Sequence, residues 1–306
     1  RHPAAQIVHL GGRRAGNPPI SEIFPALRGR CDMPLGGLEP DDMPEQPDLV
    51  FFTLPHGVSQ QYVPKYLEAG LRCIDFSGDY RFADVSIYEA HYGEHTDPDN
   101  IGKAVYGIPE LFGEQLRDAQ LIANPGCYPT AVLLGVAPLV RQSLLGPGPV
   151  IVDAKSGVSG RGNKPDPGSM FCECNENIYA YKVGEHRHEP EMEEGMRLLG
   201  AEEPDVLFVP HLVPMDRGIL ATIYAPLAKE LSTEQLVGSC AEFYGQAGFV
   251  RVLPAGGQPR TKDVTGTNYC DIGLVSAREG RAVVTSAIDN LARGASSQAV
   301  QNMNAA

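Results

Sequence analysis

Residues 120–130 read Gln-Leu-Ile-Ala-Asn-Pro-Gly-Cys-Tyr-Pro-Thr. The apolar run Gln120–Ala123 has the character of a buried strand. Pro125-Gly126 makes a tight turn, and Pro129 opens a helix expected over Thr130 to about Gln142. A strand that stops in a turn and restarts as a helix is the repeating unit of a parallel α/β sheet. Upstream, Leu71–Phe76, Asp48–Leu54 and Gln6–Leu10 read as further strands, and the unbroken apolar run at Asp48–Leu54 suits burial on both faces. Val58–Gly70 reads as a helix with a kink or late start at Pro64. This alternation predicts a parallel, Rossmann-type sheet with helices on both faces. Ser77–Leu116 interrupts it as a long polar connection, and connections of that length are more often functional than idle.

Downstream, Val150–Ala154 begins a different pattern. Val206–Val209, Gly218–Pro226, Asn268–Ala277 and Arg281–Ile288 are strand-like, the last two joined by a tight hairpin at Arg278-Glu279-Gly280. Pro190–Gly200, Thr233–Gln246 and Asn290–Met303 read as helical. The combination predicts an α+β unit, a mostly antiparallel sheet covered by helices, meeting the parallel unit near residues 124–150. A length of 306 residues fits two domains of ordinary size.

The charge balance, 25 Lys+Arg against 38 Asp+Glu for a net −13, argues against a broad phosphate-backbone footprint and so against nucleic-acid binding. Apolar residues at 42% are enough for a sizeable core, which disfavours disorder. The longest apolar stretch, Ala131–Val140, falls short of the roughly 20 residues a membrane span needs. Seven scattered cysteines make no disulfide framework, and the spacing of Cys172-Glu-Cys174 is too close for a usual zinc pair. A soluble protein of a reducing, cytoplasmic compartment, holding no metal, is expected.

Cys127 carries the strongest chemical signal. Placed after the Pro-Gly turn at a helix start, its thiol meets free N–H groups and the positive end of the helix dipole, which favour a thiolate and can hold an oxyanion. A nucleophile is the expected role. Two histidine segments compete to supply its base. His186-Arg187-His188-Glu189-Pro190-Glu191 gathers imidazoles and carboxylates before a helix, and His211 follows the strand Val206–Val209. Arg81, just after a strand, could fork onto a carboxylate or phosphate. Lys155–Gly162 forms a Gly/Ser loop between positive charges that is not a Walker loop. Leu10-Gly11-Gly12-Arg13-Arg14 lacks the acidic residue that would bind the ribose of NAD, and Arg13 and Arg14 suit the 2′-phosphate of NADP instead. His56, after Pro55, lies where ligands gather in open α/β sheets.

Together, Asn124–Thr130 (NPGCYPT), Ser156–Arg161 (SGVSGR), Gly184–Glu191 (GEHRHEPE), Pro210–Gly218 (PHLVPMDRG), Asp75–Phe82 (DFSGDYRF) and Ala287–Asn304 resemble the N-acetyl-γ-glutamyl-phosphate reductase family in content and order. The resemblance implies a fold similar to aspartate-semialdehyde and glyceraldehyde-3-phosphate dehydrogenases. It implies NADPH-dependent reduction of an acyl phosphate to an aldehyde, through a thioester, in arginine biosynthesis. It assigns the nucleophile to Cys127 and the acid/base to His186, supported by His188 and Glu191. Arg81, Ser156, His211 and Arg217 fall around the substrate. Arg13, Arg14, Pro55, His56, Gly57, Ser156, Gly157 and Asn290 fall near the cofactor. The implied division is an NADP-binding unit of 1–126 and 290–306 and a catalytic and dimerisation unit of 127–289. A small-molecule acyl phosphate is the expected partner, with a homodimer or homotetramer as the assembly. The family's first strand and Gly-rich phosphate loop are expected about 25 residues ahead of Arg1. A sister reductase of aminoadipyl or aspartyl phosphate, or a binding protein without catalysis, are the alternatives.

Overall fold

The structure is a computed structural model that describes residues 2–162 and 166–306. Arg1 lies outside the described residues. After a short helix α1 (Ile20–Ile23), the chain forms β1 (Leu49–Phe52), α2 (Val63–Glu68), β2 (Arg72–Asp75), α3 (Val85–Tyr92), β3 (Val105–Tyr106), α4 (Pro109–Leu116) and β4 (Leu121–Ala123). Among the described residues these strands make one parallel sheet in the order β1-β2-β4-β3. Successive residues of β2 point to opposite faces, and both faces are buried. Cys73 packs with Val63 and Tyr66 of α2, and Ile74 packs with Leu116 of α4 and with Ala299 near the C-terminus. This is why the strands read as continuous apolar runs rather than alternating ones.

The second unit opens with α5 (Cys127–Arg141), then β5 (Val150–Ser156), α6 (Phe171–Cys174), β6 (Tyr179–Ala180), α7 (His188–Leu198), β7 (Val206–Leu212) and β8 (Ile219–Pro226). It continues with α8 (Thr233–Phe243), β9 (Val250–Val252), α9 (Thr261–Val264), β10 (Cys270–Ala277) and β11 (Arg281–Ile288). A π-helical turn (Ala292–Ser296) and α10 (Ser297–Ala305) close the chain. The strands form a mixed sheet in the order β6-β7-β5-β8-β11-β10-β9. Helices α5, α7 and α8 supply Leu133, Met192 and Leu236 to one buried core with Val152, Phe208 and Ile223 of this sheet. On its other face Ile151, Leu207 and Tyr224 are exposed. No helix among the described residues is long and apolar enough to cross a membrane.

Gln6–Leu10, expected as a strand, forms none. Its end makes only a single bridge between Gly11 and Gly36. The neighbouring Pro34-Leu35-Gly36-Gly37 lacks an N–H at Pro34 and side chains at its glycines, so no ladder extends from the bridge. Pro64 gives a late helix start, after the 3-10 turn Ser59–Gln61. Ser77–Leu116 is not a bare connection, since it contains α3, β3 and α4. The C-terminal helix is broken by the π-turn, and β7 runs three residues beyond its expected end at Val209.

Candidate active site

Asn124-Pro125-Gly126 turns the end of β4 into α5. The Asn124 N–H donates to Asp75 O at 2.8 Å, continuing the parallel ladder. Its side chain bridges the C-terminal segment, donating to Ala295 O at 3.2 Å and accepting from Asn302 at 3.1 Å. Cys127 is the first residue of α5. Glu191, fully buried on α7, fastens the turn from the other unit. It accepts from the Gly126 N–H at 2.8 Å, from the Tyr106 hydroxyl at 2.8 Å and from Arg81 Nη1 at 3.0 Å. A β-carbon on Gly126 would lie 2.6 Å from His188 Nε2, so the imidazole packs directly on the residue preceding the thiol. From behind, a β-carbon on Gly294 of the π-turn would lie 2.7 Å from Cys127 Cβ. Asp289 holds that turn, accepting from the Leu291 and Ala292 N–H groups at 2.8 and 3.0 Å.

The electrostatics correct one expectation. Burial pushes the Cys127 thiol up to about 11, against the pull of the Tyr128 N–H and of Arg81, with nearby Glu191 adding to the rise. The helix end acts in the expected direction, but enclosure by protein outweighs it. Cys127 keeps only part of its surface open. Burial likewise lowers His186 to about 2, helped by His188, and lowers His188 well below the usual imidazole range, helped by Arg81. A neutral thiol therefore faces two neutral imidazoles.

The two rings meet at 4.7 Å between centroids, and His186 also touches Tyr128, Tyr181 and Phe208. His186 Nδ1 accepts from the His188 N–H at 3.1 Å, which leaves the ring proton on Nε2. His188 Nε2 lies 4.0 Å from Glu191 Oε2, while its buried Nδ1 has no partner among the described residues.

The structure thus brings Cys127, His186, His188, Glu191 and Arg81 together. It does not bring His211 to them. His211 lies inside β7, not beyond it, and alternation points it to the face opposite Phe208, which packs on Tyr128 and His186. There His211 Nδ1 stands 3.0 Å from Asp153 Oδ1 without hydrogen-bond alignment. Arg81 is not an open fork. Its Nε, Nη1 and Nη2 donate to Asn124 O (3.0 Å), Glu191 (3.0 Å) and Phe76 O (2.7 Å), and it is 6% exposed.

Ser156, Gly157, Asn290 and Arg217 form a second group beside the π-turn. Asn290 accepts from the Gly218 N–H at 2.7 Å and donates to Ser159 Oγ at 3.1 Å, tying the 157–162 loop to β8. The Gly157 N–H donates to Gly218 O at 2.9 Å, and the Ser156 hydroxyl to Gly157 O at 3.0 Å. Arg217 is 41% exposed, with Nη1 3.4 Å from Asp289.

A third group lines the C-terminal edge of the parallel sheet. In the Pro55-His56-Gly57 turn after β1, His56 Nδ1 accepts from the Gly78 N–H at 2.7 Å and the Gly57 N–H donates to Asp79 at 2.8 Å. Burial, with help from Arg81 and Arg187, lowers His56 to about 4. Arg13 lies over the Tyr62 ring at 5.4 Å and bonds its hydroxyl, with Arg14 exposed beside it. Two guanidinium groups with no carboxylate partner among the described residues, one held on an aromatic ring at this edge, fit a nucleotide phosphate.

Sequence reasoning missed Tyr106, Asp289 and Gly294, and noted Arg187 only as a guanidinium within the histidine segment. Tyr106 stood in a connection read as polar, and Gly294 in a run read as uninterrupted helix. Arg187 was visible between two histidines, but nothing local showed that no carboxylate pairs with it among the described residues.

Two family descriptions match the chain. "Semialdehyde dehydrogenase, NAD binding domain" covers residues 1–119, and "Semialdehyde dehydrogenase, dimerisation domain" covers residues 127–290. Proteins named N-acetyl-gamma-glutamyl-phosphate reductase from Geobacter sulfurreducens and Syntrophobacter fumaroxidans are 49% and 46% identical over 305 residues. In each, the match spans 99% of this chain and 88% of the relative. Among solved structures, aspartate semialdehyde dehydrogenase with NADP from Candida albicans has a TM-score of 0.70 at 16% identity, covering 100% of this chain and 92% of that one. Aspartate semialdehyde dehydrogenase II from Vibrio cholerae has a TM-score of 0.66 at 17% identity, covering 85% and 79%. With a thiol at a strand-to-helix turn, imidazoles packed on it and this agreement across both units, the chain belongs to the semialdehyde dehydrogenase family, among its N-acetyl-γ-glutamyl-phosphate reductases.

Proposed function

We propose that the chain reduces N-acetyl-γ-glutamyl phosphate to the semialdehyde with release of phosphate, using NADPH, as a step of arginine biosynthesis in the cytoplasm. The observation that carries the reading is Cys127 at the first turn of α5 with His188 packed on Gly126 beside it. At pH 7 a thiol at about 11 is ionised to roughly one part in ten thousand, so attack needs a base at hand. In this reading His188, packed on the residue before the thiol, takes that proton, and Glu191, 4.0 Å from its Nε2, supports the imidazolium that forms. The Cys127 sulfur bonds to the acyl carbon, the carbon–oxygen bond to phosphate breaks, and phosphate leaves with that electron pair. The N–H groups at the start of α5 hold the transient oxyanion. His186, carrying its proton on Nε2, donates to the carbonyl oxygen and takes the proton back when the aldehyde is released. The nicotinamide nucleotide, when bound, supplies the hydride that reduces the thioester.

Arg13 and Arg14 fit the 2′-phosphate of NADP, and the Pro55–Gly57 turn would border the cofactor. Ser156, Gly157 and Asn290, the last holding the 157–162 loop against Gly218, would lie near the cofactor. Arg217, with guanidinium N–H groups free of Asp289, receives the carboxylate at the far end of the acyl chain. In this reading 1–126 with 290–306 serves the cofactor and 127–289 the thiol chemistry, consistent with α10 packing on the parallel sheet. The open face carrying Ile151, Leu207 and Tyr224 is the surface a second copy would cover.

The test is phosphate-dependent NADP reduction with N-acetylglutamate semialdehyde. Wild type should turn over and Cys127→Ser should lose at least about a thousandfold. Full activity in the serine variant would sink the reading, and preference for aspartyl or aminoadipyl chains would move it to a sister reductase.

A further inference from the structure

We propose that Arg187, with His56, is the receptor for the phosphoryl group of the acyl phosphate and, in the reverse direction, for inorganic phosphate. The inference deepens the reductase reading and rests on it. Arg81, the cation that the sequence offers first, is consumed by three protein acceptors and by its ion pair with Glu191. That pairing leaves the guanidinium of Arg187 as an uncompensated charge, with no carboxylate in ion-pair contact among the described residues. Its carbon lies 4.8 Å over the Tyr92 ring. Tyr92 is itself fixed, stacked on Tyr88 at 4.9 Å and 6°, and it carries the His56 ring on its edge at 5.1 Å. The guanidinium is therefore held on an aromatic platform instead of roaming in solvent, which lowers the ordering cost of binding.

His56 adds a second donor. Its Nδ1 is occupied by the Gly78 N–H, so the neutral ring presents an Nε2–H. Arg187 and His56 thus offer donors and no acceptor, the complement of an anion with several oxygens. The anion need not be the substrate's carboxylate. Arg187 stands in the chain between His186 and His188, the imidazoles that serve the scissile carbon, whereas the carboxylate is at the other end of the acyl chain. When the acyl carbon–oxygen bond breaks, the electron pair goes to the departing phosphate oxygen, and the guanidinium stabilises the added charge. The same positive charge helps keep His56, His186 and His188 neutral.

The experiment measures the reverse reaction in wild type, Arg187→Ala and Arg187→Lys, varying inorganic phosphate and semialdehyde separately. The alanine variant should raise KM for phosphate at least about tenfold, with KM for semialdehyde within about twofold, and lysine should recover part of the loss. An unchanged phosphate KM overturns the proposal, and so does a rise confined to semialdehyde, which would give Arg187 to the carboxylate. A second measurement needs no turnover: inorganic phosphate should protect Cys127 from iodoacetamide in wild type and not in Arg187→Ala. Equal protection in both, or none in wild type, overturns it as well. Wild type lacking phosphate-dependent turnover but showing Arg187-dependent protection would refute the reductase reading alone.

Discussion

Cys127 is a neutral thiol at rest because enclosure opposes the helix end, and this has a kinetic signature. Without substrate, its alkylation rate should climb about tenfold per pH unit from pH 7 to 9, as expected well below a value of about 11. A plateau near pH 7 would mean a preformed ion pair with an imidazole. His56 gives the complementary test on stability. Its folded-state value of about 4 lies below the usual 6.5, so between those values the unfolded chain binds the extra proton. Its contribution is complete above pH 6.5 and is lost as pH falls toward 4. Thermal melts over pH 7.5 to 4.5 should show that decline, and His56→Gln should make it shallower.

At the scale of elements, the nucleophile is gripped between three pieces of structure: the β4–α5 turn, the start of α7 and the π-turn. The π-turn packs on Cys127 itself, and His188 at the start of α7 packs on Gly126 just before it. Gly294→Ala places a methyl where Cys127 Cβ stands 2.7 Å away, so either the thiol or the π-turn must shift. A displacement approaching an ångström costs on the order of a hundredfold in kcat. Steady-state kinetics should show that loss while NADP binding, followed by fluorescence titration, stays near wild type. The break of the C-terminal helix at Ala292–Ser296 is the local sign of this demand, since π-turns occur disproportionately at functional sites.

At the scale of the whole molecule, the C-terminal segment is tied back to the parallel unit by buried polar contacts as well as by apolar packing. Arg293 of the π-turn, with no exposed surface, pairs with Glu110 of α4, and Gln301 of α10 bonds the same carboxylate at 2.7 Å. Glu110→Ala strands a buried guanidinium and should cost about 3–5 kcal/mol, measured by urea denaturation. The open sheet face gives an assembly test. Leu207→Asp sets a charge among Ile151 and Tyr224 and should shift the species seen by light scattering toward monomer, with the fold retained by circular dichroism.

The sequence by itself determined what depends on neighbours along the chain. The strand–turn–helix at 120–130, the apolar runs of β1 and β2, the change of pattern after residue 150 and the thiol at a helix start are all local, encoded in spacing and in Pro-Gly chemistry. Gln6–Leu10 shows the limit, because a strand needs a partner that its own residues do not encode. Tertiary structure alone decided which polar groups are spent and which are free. Arg81 looked open and is buried under the turn, while Arg187 looked incidental and has no carboxylate partner among the described residues. His211 looked close and faces away by the alternation of a strand that runs further than its local signal. It also decided the protonation of the site, since burial, which no spacing records, sets Cys127 near 11 and His186 near 2. Hydrogen-bond partners come from residues 81, 106, 126 and 191, far apart in the chain, and desolvation comes from everything packed around them.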